Sequence, residues 1–424
     1  MNNTNDSKQP QEFDYIYDWN AVGNPLLLRT KTIFFEDETL RDGLQSPSAK
    51  RPTREQKVEL LRLMEQLGIQ RVDIGLPGSG AQERADIDAL LSAIVSEKMR
   101  IAPGCAVRTV IEDIEPLAAL RDKHGIPIKA NAFIALSPIR QFVQEETVDR
   151  ILEKMEKSLS WAADNDIPFM FVTEDTTRSK PDDIERLYKR AIELGAESIC
   201  LCDTCGHATP HGVKELVTFV LEQIVRPSGR EVPIAWHGHC DRGLALVNAL
   251  AAIEAGADII HGTALGLGER AGNTQMDQLL VNLSLMGLIE IDGKVLSEYI
   301  HKAHSYTGAP LPENYPVFGA DAFVTATGVH ADAIRKAKRK GNVWLADRVY
   351  SGVPASDFGL AQKIAVGPMS GHSNIKDWLE NNNYEVSEAH VNRLWDAVKD
   401  VKARERKALF SDDELRSLIE AERK

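Results

Sequence analysis

Eight short runs rich in β-branched and aromatic residues alternate with helix-periodic segments between residues 33 and 265. They are IFFED (33–37), RVDIGL (71–76), RIAPGCAV (100–107), PIKANAFIAL (127–136), PFMFVTE (168–174), SICLCD (198–203), VPIAWHGH (232–239) and DIIHGTAL (258–265). Between the first two lies REQKVELLRLMEQLG, in which Val58, Leu61, Leu63, Met64 and Leu67 recur at helical spacing before Gly68 ends the helix. Strands separated by helices must run parallel, and eight such units fit a closed (β/α)8 TIM barrel better than an open sheet, which more often has about five to seven strands. The expected fold is therefore α/β, with a TIM barrel over residues 31–287.

The flanks read differently. Residues 1–30 are polar and aromatic without period and end in Pro25 and the short apolar run Leu26, Leu27, Leu28, an arm outside the core. After Gly287 the alternation stops, and residues 288–424 read mainly as helices joined by Pro- and Gly-bearing loops such as LPENYPVFG (311–319) and YSGVPASDFG (350–359). With the charged helix SDDELRSLIEAERK at its end, this stretch is expected to be a helical accessory domain contributing to the active site.

Charge narrows the class of partner. Lys and Arg number 50 against 63 Asp and Glu, a formal charge of −13, which disfavours a nucleic-acid surface. The N-terminal segment lacks a basic start and an apolar core, and no apolar stretch approaches the roughly 20 residues needed to span a bilayer, so a cytoplasmic protein without membrane association is expected. The five cysteines, 105, 200, 202, 205 and 240, are too few and too scattered for a disulfide framework. Cys202 and Cys205 form a CxxC, but no second CxxC stands at zinc spacing, so strand thiols are the reading preferred.

In a barrel the chemistry sits at the C-terminal ends of the strands. Polar and ionisable residues gather there: Glu36 to Gln45 after the first strand, Thr173, Glu174, Asp175 and Arg178 at the fifth, Asp203, Thr204 and His207 at the sixth, His237, His239 and Asp241 at the seventh. His237 and His239 are two apart, so a strand points both imidazoles to one side. Such a pair is either a set of satisfied histidines or, with a carboxylate from Asp42 or Asp37 and an oxygen from Asn273, a metal site with open positions. The loop GLGERAG (266–272) is GxGxxxG after the last strand and fails the dinucleotide pattern. Its glycines, with Gly268 and Glu269 at the centre, serve either close packing or close approach to a phosphate or carboxylate.

These motifs together, ETLRDGLQ (38–45), FIALSPIR (133–140), TEDTTR (173–178), DTCGHATP (203–210), HGHCDRG (237–243), GLGERAGN (266–273) and ATGVHADAI (326–334), resemble the DRE-TIM metallolyase superfamily, closest to its 2-isopropylmalate synthase and homocitrate synthase branch. The resemblance spans residues 32–372. It implies a Claisen condensation of acetyl-CoA with a 2-oxo acid, then thioester hydrolysis, dependent on a divalent ion such as Mg2+, Mn2+ or Zn2+. By the same resemblance Asp42, His237, His239 and Asn273 hold the metal, and Arg41 stabilises the oxyanion. Glu174, His330 and Tyr350 are the candidates for proton transfer, and Gln45, Thr204, Gly268 and Glu269 lie in substrate-binding motifs. His330 and Tyr350 are expected to reach a second subunit's barrel, which implies a homodimer with shared sites.

Two departures bear on the 2-oxo acid. Isopropylmalate synthases commonly carry His-Thr where this sequence has Asn131 and Ala132, which alters how the substrate side chain is held. No residues remain for the leucine-binding regulatory domain of many relatives, so feedback through it is not expected. Homocitrate synthesis needs a basic group for a second carboxylate; Gly75, Leu76, Pro77 and Gly78 offer none, while Arg108 keeps it open, and an apolar acid such as 2-oxoisovalerate is favoured, in leucine biosynthesis. A retro-Claisen lyase of the hydroxymethylglutaryl-CoA type would carry a cysteine in the glycine-rich loop, and GLGERAGN has none.

Overall fold

In the computed structural model, residues 15–24, 26, 29, 31–400 and 409–420 are described. The chain forms two compact units, one of residues up to 47 with 68–290, the other of residues 48–67 with 291–424. Pro25, Leu27 and Leu28 of the N-terminal arm lie outside the described residues, as do residues 421–424, at the end of the charged stretch expected to be helical. The described part of the arm exposes Tyr15, Tyr17, Trp19 and Val22 to solvent.

The first unit is a closed barrel of eight parallel strands in sequence order. They are β1 (Phe34–Asp37), β2 (Arg71–Asp73), β3 (Ala102–Arg108), β4 (Lys129–Ala135), β5 (Phe169–Glu174), β6 (Ser198–Asp203), β7 (Ile234–Gly238) and β8 (Ile259–Gly262). β8 closes on β1 with Phe34 opposite Ile259 and Glu36 opposite His261. Every residue of β6, β7 and β8 is buried, as expected of strands covered on both faces. The helices between strands bury one stripe each: Pro181–Glu193 covers Ile184, Leu187, Tyr188, Ala191 and Ile192, spaced three or four apart or adjacent. Starts are set by Pro at the first turn of Pro181–Glu193 and Pro210–Val220, and by the Thr147 hydroxyl accepting from the Arg150 N–H at Val148–Asp164.

The two-residue period of the strands arranges the barrel interior in layers. Met170, Cys200, Ala235 and Ile259 pack with Cys202 into an apolar cluster, with Phe34 and Val172 against it. One or two steps further along the same strands come Glu36, Glu174, His237 and His261, so the apolar floor gives way to ionisable groups toward the strand ends. Cys200 and Cys202 are buried thiols with sulfurs 3.8 Å apart, and all five cysteines are unpaired.

The second unit is built mainly of helices. Arg54–Gln66, capped by Thr53 and Gln56 in a reciprocal box, packs on Gly293–Thr307, where Glu59 takes bonds from Lys302 and Tyr306. A short parallel pair not expected from the sequence joins Val324–Thr325 to Lys363–Ile364. Helices Gly328–Arg339, Val343–Arg348, His372–Asn381, Glu388–Lys399 and Asp412–Glu420 complete it, with a core including Ile375, Trp378, Leu379, Leu394, Val398 and Leu415.

Candidate functional site

A cavity opens at the C-terminal ends of the strands, and its walls follow the inward rows: Phe133 and Asn131 from β4, Val172 and Glu174 from β5, Cys202 and Thr204 from β6 and its end, His237 and His239 from β7 and its end. β7 stops at Gly238, so His239 is no longer in the strand; it lies opposite Asn273 in an isolated antiparallel bridge, and its N–H donates to the Asp203 carbonyl. That bridge keeps the His239 ring on the side of His237. The two Nε2 atoms are 3.1 Å apart, and each is 3.9 Å from Asp42 Oδ2.

These atoms fit a divalent ion. Two nitrogens bound at ~2.1 Å and at right angles would stand ~3.0 Å apart, close to the separation seen. Asn273 donates through Nδ2 to Asp42 Oδ2 at 2.8 Å and to the Leu267 carbonyl at 2.9 Å, which fixes the amide's orientation. Its Oδ1 is left buried without a hydrogen-bond partner among the described residues, the state of an oxygen awaiting a cation. His237 donates from Nδ1 to Glu38 Oε2 at 2.7 Å, which directs Nε2 toward Asp42 and His239. Burial opposes charge on His237, but Glu38 outweighs it and raises the imidazole to about 10. Burial and the neighbouring His237 lower His239 to about 4.

Around the triad lies a shell of carboxylates. Arg41 donates from Nε to Asp73 Oδ2, from Nη1 to Asp42 Oδ1 and from Nη2 to Glu38 Oε1, at 2.8, 2.9 and 2.8 Å. Burial works against the charge of this guanidinium, yet Asp73, Asp42 and Glu38 hold it well above its usual value. Glu38 is raised by burial but brought well below the carboxylate range by His237, His261 and Arg41. His261 on β8 donates from Nδ1 to Glu38 Oε1 at 3.2 Å and has Nε2 3.7 Å from Glu36 Oε2. Glu36, Glu38, Asp73 and His261 are all buried, and sequence reasoning assigned none of them a role. The inward alternation of β1 and β8 was the available signal.

The remaining candidates separate. Arg41, Gln45, Asn131, Glu174, Thr204 and Glu269 line the same cavity as the triad. Glu174 is raised chiefly by burial, against the nearby Arg140, whose Nη2 is 3.3 Å away. Thr204 accepts from the Asp175 N–H at 2.8 Å. Asn131 donates to Glu36 Oε1 at 2.7 Å. Gly268 packs against Asn273: a Cβ there would come within 2.4 Å of Nδ2, so the glycine permits the amide's approach. Arg108 is turned from the cavity, its side chain 66% exposed and paired with both oxygens of Asp113 at 2.8 Å. Arg270, not singled out in the sequence, lines the mouth and bonds Asp241 and the Thr204 carbonyl. In the second unit His330 and Tyr350 stack with ring centroids 4.0 Å apart, both exposed.

The profile of the HMGL-like family matches residues 32–305. The chain is 31% identical over 358 residues to a 2-isopropylmalate synthase of Sediminispirochaeta smaragdinae, covering 83% of this chain and 68% of that protein. It is 30% identical to the homocitrate synthase AksA of Methanopyrus kandleri over 90% of each chain. Among solved structures, hydroxymethylglutaryl-CoA lyase from Pseudomonas aeruginosa superposes with a TM-score of 0.55 at 18% identity, over 65% of this chain and 93% of that one, a likeness of fold. With its closed barrel and the motifs at the strand ends, the chain belongs to the HMGL-like family of DRE-TIM barrels.

Proposed function

We propose that this protein is a 2-isopropylmalate synthase-like acyltransferase, condensing acetyl-CoA with 2-oxoisovalerate in leucine biosynthesis. The observation that carries the reading is the convergence of Asp42, His237 and His239 in one cavity with Arg41 and Glu174. Relatives that bear the names 2-isopropylmalate synthase and homocitrate synthase support it.

Asp42, His237, His239 and Asn273 would hold the divalent ion. When bound, that ion supplies Lewis-acid polarisation of the 2-oxo acid's ketone. Glu174, as a carboxylate whose proton affinity burial has raised, takes a proton from the acetyl methyl group, with His330 and Tyr350 as further candidates from a second subunit. The methyl carbon bonds to the ketone carbon, the ketone oxygen gains the charge and then a proton, and Arg41 stabilises that charge. Water then cleaves the thioester, releasing CoA thiol and the new carboxylate. Thr204, which by the family resemblance binds the 2-oxo acid's carboxylate, lines the cavity together with Gln45 and Glu269.

The choice of 2-oxo acid rests on the walls. Leu76, Ala106, Phe133, Met170 and Val172 present an apolar surface, and Arg108 is engaged with Asp113 away from it, which favours an apolar side chain over a second carboxylate. We place the enzyme in the cytoplasm as a homodimer; its unpaired thiols suit a reducing compartment, and among the described residues no helix is long and apolar enough to cross a membrane. The test is release of CoA thiol from acetyl-CoA by metal-loaded protein with 2-oxoisovalerate, 2-oxoglutarate and larger 2-oxo acids, with a chelator control. Chelator-sensitive release fastest with 2-oxoisovalerate is expected. Preference for 2-oxoglutarate would move the assignment to homocitrate synthesis, and no release with any acid would overturn the condensation.

A further inference from the structure

Three N–H donors converge on one buried side chain that no role in the proposed reaction requires. Glu38 accepts from His237 Nδ1 at 2.7 Å on Oε2, and from Arg41 Nη2 at 2.8 Å and His261 Nδ1 at 3.2 Å on Oε1. A carboxylate is suited to this because both of its oxygens only accept. We propose that Glu38 is the positioning residue of the site, orienting the metal ligand His237 and Arg41 at once, and that His261 acts through it as an outer tether. The proposal rests on the reading of Asp42, His237 and His239 as metal ligands.

The geometry gives each bond a consequence. The bond from His237 Nδ1 fixes the tautomer that leaves the Nε2 lone pair for a metal. The bond from Arg41 holds a guanidinium that also grips Asp42 and Asp73, so ligand, arginine and carboxylate move as one assembly. His261 cannot touch substrate through Nδ1, which is spent on Glu38, and its Nε2 is buried without a hydrogen-bond partner among the described residues. Glu38, His237 and His261 also stand close enough to hold a cation among themselves. An ion there would break the His237 bond and sit beside the Arg41 guanidinium, so the acceptor role is the one the contacts support.

The isosteric variant Glu38→Gln tests this, because an amide has one accepting oxygen and its NH2 must face at least one of the three donors. Mn2+ binding to apo-protein, followed by titration calorimetry and by the ion's paramagnetic resonance, reads the effect apart from turnover. Glu38→Gln should weaken Mn2+ binding by ~10- to 100-fold, the range for lost partners of a metal-bound histidine, and Glu38→Asp should recover part of it. His261→Gln should weaken binding less, and add little on the Glu38→Gln background, since it acts through that residue. Mn2+ affinity within about threefold of wild type in Glu38→Gln, an Asp variant no better than Gln, or effects that multiply in the double variant would each overturn the proposal. If Glu38→Gln does not fold, Glu38→Asp and His261→Gln with their double variant decide by the same non-additivity. His239→Ala separates the two levels: wild-type Mn2+ binding in that variant would fell the ligand assignment and the proposal with it, whereas lost binding there with unaltered Glu38→Gln would fell the proposal alone.

Discussion

His237 carries the most consequence of any single side chain, because its two ring nitrogens face opposite demands. Nδ1 is committed to Glu38, and in the metal-free protein the ring stays protonated to about 10. A metal on Nε2 must displace that proton. Near pH 7, below the raised value, binding should therefore release about one proton per ion, and apparent affinity should climb roughly tenfold per pH unit until the ring titrates. Calorimetry in two buffers of different ionisation enthalpy measures the release. His237→Ala should abolish turnover, and Arg41→Ala should lower kcat by ~10²- to 10³-fold, the scale of a lost oxyanion donor; CoA release checks both. The sequence exposed these residues because each sits in a motif at a strand end. It did not expose Glu38 and His261 as partners, since their significance lies in a contact between the residue just after β1 and β8, 223 positions apart. Nor did it show that Arg108 turns to Asp113, a choice among rotamers settled by a neighbouring helix.

Among the elements, the loop after β8 shows how backbone detail sets up a site. Gly268 lies against the Asn273 amide, which in turn holds Asp42. Gly268→Ala should push Asn273 aside, weakening Mn2+ binding by about tenfold and costing ~1–3 kcal/mol in stability as an overpacked contact. Gly243→Ala is the control: its φ of +71° strains any side chain, but nothing lies within 4 Å of the new Cβ, so Mn2+ affinity should hold. Mn2+ titration and thermal melts compare the pair. All eight strands were legible in the sequence, from β-rich runs bounded by turns. Their ends were less so: VPIAWHGH reads as strand through His239, whereas β7 ends at Gly238, because pairing with Asn273 replaces the ladder. The pair Val324–Thr325 and Lys363–Ile364 was missed because two residues per strand give no period to read.

At the scale of the molecule, alternation of strand and helix was enough to give the barrel, since parallel strands with helical crossovers leave few ways to close. The pattern could not say what each helix packs against. The second unit has its own apolar core, and Trp378→Ala there should cost ~3–5 kcal/mol by the cavity it leaves, more for the lost bond to Asp412, while Mn2+ affinity is kept; denaturant unfolding and Mn2+ titration report the two. Helix Arg54–Gln66 follows β1 in the chain yet packs on Gly293–Thr307, where Glu59 accepts from Lys302 and Tyr306. On the ribosome that helix emerges about 230 residues before its partner, so the surface that meets Gly293–Thr307 must wait, uncovered, while the barrel strands are being made. A truncation at residue 290 would make the wait permanent, and a barrel fragment cut there is expected to aggregate where the full chain stays monodisperse in light scattering.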